Sequence, residues 1–528
     1  MKTYKTKDLR FKWHFLSFLV LLMSVNLAAC SDDEGESDTP GTISGPSSLT
    51  VTATNLAAEL QIQFQNTNYM NVKTIEISYE KTDGTEPGTV SLNGADYTVV
   101  FNYLLKLPSV GTYEVGVTLI GYGGERSETV TRTATTFDPG TVGDTPMIDL
   151  ANEAMQNLIE KYFHKSSRTI WQTWYPNVMS GDGVYWDGDA LVWGQGAGLS
   201  AFVSMRKATN GLSIGGDYLA LENDMFDGIQ GFWKFDSRDG VTAYSCYPDA
   251  GNDRFFDDNV WIGLDMAKWY EITKDQRYLT QAVAVWEYLT TVGYDETCHG
   301  GILWKELPEK STSKHTCSTA PAGVLSCRLY NITKDEKYLE WAKKLYEWLV
   351  TYMQDPSDYL FWDNARPDAN NPLEIGSIET PKYAYNSGQP LQLACMLYKI
   401  TGEDKYLNNA YNIAEACFNK WFITYTSNVF GAEINILKPN EDMWFNAVMS
   451  RGFFELYSID QNPVYLDALK KTMIHAWFGN ARRDNGLIDY NDLTGGGTPQ
   501  TSWEVRHEAA IVEMMAELAS WEREKEAE

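Results

Sequence analysis

The chain has 528 residues, enough for several domains, and its 43% hydrophobic and 22% charged residues exclude wholesale disorder. With 71 acidic against 43 basic residues the formal net charge is −28, which argues against a general nucleic-acid binder, because phosphate neutralisation needs basic surface. A metabolite or neutral polymer suits that charge better. The 13% aromatic content is unevenly placed: apart from Trp13, every tryptophan lies at position 171 or beyond.

The first element is an address. Lys2, Lys5, Lys7, Arg10 and Lys12 precede an apolar run from Phe15 to Leu22 that continues to Ala29, a basic n-region and an h-region too short for a comfortable membrane span. The run ends in Leu27-Ala28-Ala29-Cys30, which resembles a bacterial lipobox. That resemblance implies cleavage before Cys30 and diacylation of its thiol. The acidic tract Ser31-Asp32-Asp33-Glu34-Gly35-Glu36 resembles the surface-export signals of Bacteroidetes lipoproteins. Residues 1–29 thus read as a signal peptide and 30–45 as a flexible acidic tether. The expected location is the outer membrane, lipid-anchored and exposed at the cell surface. The other six cysteines, Cys246, Cys298, Cys317, Cys327, Cys395 and Cys417, show no metal-type C-x-x-C spacing and read as small core residues, although the compartment permits disulfides.

Residues 46–137 follow a period of two. Leu60, Ile62 and Phe64 alternate with glutamines, as do Ile75-Ile77-Tyr79 and Tyr113-Val115-Val117-Leu119 with their polar neighbours. Turn signals at Asp83-Gly84, Asn93-Gly94 and Gly123-Gly124 separate them. This pattern predicts a small all-β, immunoglobulin-like sandwich. It holds no tryptophan, histidine or acidic cluster, so it reads as a spacer or accessory module. A Pro/Gly-rich linker, 138–147, follows.

The remainder, 148–528, repeats. Asp275-Gln-Arg-Tyr278-Leu279, Asp335-Glu-Lys-Tyr338-Leu339, Asp404-Lys-Tyr406-Leu407 and Asn462-Pro-Val-Tyr465-Leu466 open successive helices, with Gly216-Asp217-Tyr218-Leu219 as an earlier copy. The tyrosines are 60, 60, 68 and 59 residues apart. Before each later copy another helix ends, at Tyr270, Tyr330, Tyr398 and Tyr457. Twelve helices are predicted, near 148–163, 190–208, 216–234, 257–272, 275–293, 317–332, 335–353, 386–401, 404–421, 442–458, 462–478 and 505–522. Six hairpins with their long loops all falling between hairpins suit a closed (α/α)6 toroid better than an open solenoid.

In a toroid the inner helix starts converge at one mouth. Aligned on their terminal tyrosines, four inner helices begin with Asp257-Asp258, Cys317-Ser318, Tyr385-Asn386 and Trp444-Phe445. Only one unit places two carboxylates there. Capping needs one aspartate; two between Phe255, Phe256 and Trp261 are electrostatically costly, which points to use.

The segment Phe255-Phe256-Asp257-Asp258-Asn259-Val260-Trp261-Ile262-Gly263-Leu264 resembles the catalytic motif of glycoside hydrolase family 76, the endo-α-1,6-mannanases. The likeness runs on through Gly300-Gly301-Ile302-Leu303-Trp304, Ser318-Thr319-Ala320-Pro321-Ala322 and Tyr385-Asn386-Ser387-Gly388-Gln389, across 148–522. One departure is Asn386-Ser387-Gly388-Gln389 where the family customarily has Asn-Gln-Gly. The resemblance implies retaining, endo-acting hydrolysis of α-1,6-mannosidic bonds in mannan, with Asp257 as nucleophile and Asp258 as acid/base. Adjacent aspartates suit the separation of about 5–5.5 Å used by retaining glycosidases.

The residues bear on this independently. Sugar rings stack on aromatics, and Trp171, Trp174, Tyr175, Trp186, Trp193, Tyr385, Trp444 and Trp503 fall in mouth-side loops and helix starts. Asn259 within the motif and the polar Gln195, His315, Asn386, Gln389 and Asn446 are candidate hydroxyl partners. The expected ligand is α-mannan polysaccharide or oligosaccharide, bound by a monomer without cofactor. The six histidines lack zinc spacing, and Asp182, Asp187, Asp189, Asp236, Asp239 and Asp249 match no EF-hand register. His507, beside Trp503, Glu504 and Arg506, reads as a satisfied core group. Two alternatives stand: a non-catalytic surface glycan-binding lipoprotein, which has no use for both aspartates, and another (α/α)6 glycosidase, whose anionic substrate would recruit arginines.

Overall fold

Alternation of buried and exposed side chains builds the front of the chain. Strands β1 (Ser47–Ala53), β2 (Glu59–Gln65) and β5 (Val100–Lys106) form one antiparallel sheet in the order β1-β2-β5. Strands β3 (Val72–Lys81), β4 (Gly88–Asn93), β6 (Thr112–Gly121) and β7 (Val130–Thr135) form a second, ordered β4-β3-β6-β7. Leu60, Ile62, Phe64, Ile75, Ile77, Phe101, Val115 and Val117 share one buried cluster. This computed structural model describes residues 43–527 apart from 55–57, 68, 165–169, 177–187, 211–217, 238–239 and 249–252. Cys30, Trp186, Asp182, Asp187, Asp239 and Asp249 lie outside the described residues.

A short helix α1 (Pro139–Val142), capped by Asp138, leads into a helix-rich region. Its helices are α2 (Met147–Tyr162), α3 (Val192–Ala208), α4 (Glu222–Gln230), α5 (Phe256–Thr273), α6 (Gln276–Tyr288), α7 (Thr316–Thr333), α8 (Glu336–Trp348), α9 (Ala384–Thr401), α10 (Asp404–Trp421), α11 (Met443–Asp460), α12 (Val464–Phe478) and α13 (Val505–Ala527). The tight turns explain the repeated motif. At the end of α5, Thr273 Oγ1 donates to Trp269 O, Lys274 adopts a left-handed cap at φ 62°, and Asp275 accepts from Arg277 N to open α6. The α7–α8 turn repeats this with Thr333, Lys334 and Asp335. Here sequence dictates both the stop and the restart.

Predicted and observed helices differ most in the second hairpin. The expected helix over 216–234 contracts to α4, Glu222–Gln230. Gly231 ends it by bonding back to Asp227 and Gly228, and Trp233–Asp236 pairs with Val241–Tyr244 as a hairpin instead.

Helices α3, α5, α7, α9, α11 and α13 pack each against the next, and α13 returns to α3. They are buried on nearly every side. Helices α2, α4, α6, α8 and α10 are amphipathic, as α8 shows by burying Tyr338, Leu339, Ala342, Leu345 and Tyr346 and turning its lysines and glutamates toward solvent, whereas α12 is buried along most of its length.

Candidate active site

The second residues of the six odd-numbered helices from α3 to α13 are Trp193, Asp257, Cys317, Tyr385, Trp444 and Arg506, and contacts link them into one cluster. Arg506 lies 4.0 Å from the Trp193 ring centroid, Trp193 meets Trp444 edge-on at 5.4 Å, and Trp444 lies 6.1 Å from Tyr385. Tyr385 and Cys317 are electrostatic neighbours, and the Cys317 thiol donates to Asp257 Oδ2 over 3.4 Å. The register read from the terminal tyrosines is therefore a register in space.

Short cross-links aim these helix starts. Arg254–Phe255 pairs with Lys305–Leu307, and Phe256 N donates to Trp304 O. Arg254 is fully buried, bonded to Lys234 O and Val241 O and paired at 3.4 Å with Glu306, which also accepts from Tyr288. Lys314–His315 pairs with the strand Asn364–Pro367, and Trp174–Tyr175 with Trp503–Glu504. The N-cap position of α5 is Phe255, with no side-chain cap bond. The aspartates do not serve as caps.

Asp257 and Asp258 are half-buried and sit in different environments. Asp257 Oδ2 accepts from Trp304 Nε1 at 3.1 Å and from Cys317, while Oδ1 accepts from Asp258 N at 2.9 Å. Burial pushes its carboxyl up to about 6 despite those donors. Among the described residues Asp258 has no comparable donor; burial and the Asp257 charge push it well above the usual carboxylate range. Burial and then the nearby Asp257 push the Cys317 thiol up, so it stays a protonated donor. Trp304 is 39% exposed, stacked on His315 at 5.3 Å and tilted against Phe255 at 4.9 Å. Burial lowers His315 to about 4, so the ring is neutral.

The predicted site residues divide. Gln195 is spent on backbone: Oε1 accepts from Trp171 N and Nε2 donates to Trp171 O and Ala190 O. Asn259, fully buried, bonds Tyr244 N, Tyr244 O and Phe255 O. Both are corrected to scaffold residues. Trp171 is likewise core, buried against Phe163 and the α-carbon face of Gly198.

Others keep unspent polar atoms. Trp193 Nε1, Trp444 Nε1, Trp503 Nε1, both amide atoms of Asn446, Asn386 Oδ1 and Gln389 Oε1 are buried with no hydrogen-bond partner among the described residues. Asn386 Nδ2 donates to Asp363 Oδ1, and Gln389 Nε2 donates to Gln392. Trp174 is half-buried on its strand. His507 Nε2 meets Arg506, its Nδ1 lies 3.8 Å from Asp442 Oδ1 without a hydrogen bond, and burial lowers it to about 4. Trp304, Cys317 and Asp363 were not among the candidates. Trp304 lay in a quoted motif, and Cys317 stood in the aligned register beside Asp257.

The chain matches the family model described as glycosyl hydrolase family 76 over residues 147–526. It is 53% identical to a family 76 glycoside hydrolase from a bovine Bacteroides thetaiotaomicron strain, across 91% of this chain and 100% of that one, with a TM-score of 0.72. It is also 53% identical to a family 76 mannosidase from Bacteroides thetaiotaomicron VPI-5482, across 72% of this chain and 99% of that one, TM-score 0.69. A mannan endo-1,6-α-mannosidase of Candida albicans is 27% identical over 143 residues, 26% of this chain and 31% of that protein. The matched stretches span less than half the length of the curated fungal relatives. The chain belongs to glycoside hydrolase family 76.

Proposed function

We propose that the protein is a retaining endo-α-1,6-mannanase acting on the backbone of yeast or fungal mannan. The observation that carries the mechanism is the asymmetry of the aspartate pair. Asp257, held by a thiol, an indole and a backbone amide at a helix N-terminus, is the carboxylate suited to attack the anomeric carbon. Asp258, kept protonated by burial and by its neighbour's charge, donates its proton to the departing glycosidic oxygen. The C–O bond breaks as the Asp257 ester forms. Asp258, now a carboxylate, then takes a proton from the water that displaces the ester, restoring both groups.

The exposed Trp304 and half-buried Trp193, Tyr385 and Trp174 offer faces for sugar rings, and the unpaired atoms of Asn386, Gln389 and Asn446 suit hydroxyl groups. The names of the relatives support the linkage and the sugar. A purely glycan-binding role leaves two half-buried, mutually repelling carboxylates unexplained. The deciding experiment incubates the protein with unbranched α-1,6-mannan and follows reducing ends and the anomeric proton signals. New ends with α-mannose appearing first are expected; no new ends, or β-mannose first, refutes the reading.

The surrounding architecture is read in the same way. The return of α13 to α3 supports a closed (α/α)6 toroid over 148–528, and the two sheets sharing one core support an immunoglobulin-like module over 46–137. A monomer anchored through Cys30 on the outer face of the outer membrane accords with the lipobox and acidic tract. The Cys30→Ala change is then expected to release the protein or strand it unprocessed.

A further inference from the structure

Each even-numbered helix from α4 to α12 is followed by a hairpin turn. Positive-φ glycines stand in four of these turns: Gly240 at φ 75°, Gly300 and Gly301 at 118° and 81° beside Cys298 and His299 at 52° and 61°, Gly431 at 63°, and Gly486 at 81°. The turn after α8, closed by the Gln354–Phe361 bridge, puts Tyr359 there at φ 62°, with 43% of its surface exposed. A Cβ is unfavourable in this conformation, and a bulky ring more so. Backbone strain of this kind persists where the surroundings over-determine it. Here they do: Tyr359 N donates to Asp355 O at 2.9 Å, Gln354 Nε2 donates to Tyr359 O at 3.0 Å, and Lys382 clamps both Asp355 and Asp358.

The ring borders a groove of about 410 Å³ between this turn and the last two turns of α10, lined by Asp358, Asn412, Glu415, Asn419 and Lys420 among others. Asn412, Glu415 and Asn419 lie three, four and seven residues apart, on one helix face, and all are exposed. No hydrogen bond within the described residues occupies the amides of Asn412 or Asn419. An aromatic ring and two amides lining one groove supply the chemistry that holds a neutral sugar: C–H faces on the ring, paired hydroxyls on the amides. The anchor of the turn also adjoins the active-site cluster along the chain. Lys382, which fixes the turn, precedes Tyr383, whose ring is 39% exposed and 6.1 Å from that of Tyr385.

We propose that the Tyr359 groove is a second glycan-binding site, which holds a neutral hexose segment of the polymer outside the catalytic centre. It rests on the mannan reading above for the identity of the sugar. Its contribution is to long chains; an oligosaccharide that fills only the catalytic mouth does not reach it.

The test uses the full chain. Affinity electrophoresis through α-1,6-mannan gels is run for wild type, Tyr359→Ala, Tyr359→Gly and Asn412→Ala/Asn419→Ala, alongside kcat/KM on polymer and on α-1,6-mannotetraose. Truncating an aromatic anchor typically weakens binding about tenfold. Each variant is expected to lose most of its retardation and several-fold of its polymer kcat/KM, and to keep wild-type kcat/KM on the tetraose. Tyr359→Gly separates binding from stability: it relieves the turn, so its Tm rises while its polymer affinity falls. Unchanged retardation in Tyr359→Ala overturns the groove while tetraose hydrolysis leaves the catalytic reading intact. A wild type that cleaves tetraose but is not retarded by mannan also overturns it. A wild type that is retarded but cleaves nothing overturns the catalytic reading alone.

Discussion

Replacing Cys317 by alanine removes one of the two side-chain donors holding Asp257, while leaving the charge of the site unchanged. Asp257 titrates near 6 because burial outweighs the thiol, indole and amide bonds that favour its ionised form, the thiol contributing most among them. A hydrogen bond to a charged group contributes about 1.5–3 kcal/mol, and a thiol, being a weak donor, belongs at or below the bottom of that range. At about 1.4 kcal/mol per pKa unit, the loss raises Asp257 by at most about one unit. The sign follows: a nucleophile must be ionised, so the acid limb of kcat/KM moves up in pH, and activity near pH 8 stays close to wild type. The limb is read from kcat/KM on a soluble mannooligosaccharide between about pH 4 and 9, where it reports the free enzyme. Cys317→Ser restores a donor and is expected to return the limb toward its original position. A loss equal at every pH, with the limb unmoved in a folded Cys317→Ala protein, refutes the argument and leaves Cys317 a packing residue.

Asp257→Asn and Asp258→Asn should each lower kcat on mannan by several orders of magnitude. On an activated aryl mannoside, azide should rescue Asp258→Asn with a retained glycosyl azide and Asp257→Asn with an inverted one. Because the folded state raises the Asp258 pKa, ionising that residue costs stability as pH rises above its unfolded value, so Asp258→Asn should melt higher than wild type at pH 7 and not at pH 3. Glu508 is buried and pushed well above its usual range, with Oε1 unpaired; by the same sign, Glu508→Gln should raise Tm at pH 8 and change it little at pH 4. Arg254→Met leaves Glu306 buried and short of a partner and should cost about 3–5 kcal/mol in denaturant unfolding.

The hairpin repeat was legible because its signals are local. Thr273 and Asp275, or Thr333 and Asp335, act on backbone within four residues, so a motif in the sequence is a turn in space. The acid pair was legible for another reason: aligned helix starts become neighbours when the helices pack in a ring. Gln195 and Asn259 misled because their partners are strands, Trp171 and Tyr244, brought to them only by tertiary pairing. A polar residue at a helix start looks the same whether it faces ligand or backbone. Trp304 and Cys317 were missed for the converse reason. Their bonds to Asp257 cross 47 and 60 residues of chain, and nothing local distinguishes them from other aromatic or small core residues.

The odd-numbered helices also explain why the site opens at one end. Below the aspartates, Trp261 packs against Trp444 at 5.1 Å, and Arg451 lies 6.0 Å beneath the Trp261 ring. Arg451 pairs with Glu513, and Ser200 donates to Asp265 at 2.6 Å in the same layer. Deeper still, Lys207 and Lys268 share Glu517. These ions border a cavity of about 250 Å³ reached from the opposite end, lined by Asp265, Lys268, Arg451 and Glu517. An aromatic floor over paired charges separates that cavity from Asp257. Helices lining such an axis bury polar residues on one side and apolar residues on the other, which is why they lack the plain amphipathic stripe of α8. The ion layer fixes the mutual position of four inner helices, α3, α5, α11 and α13, through Ser200, Asp265, Arg451 and Glu513. One of those four, α5, carries the acid pair, so the charges that contribute nothing to the chemistry hold the aspartates against the ring of aromatics that receives the sugar.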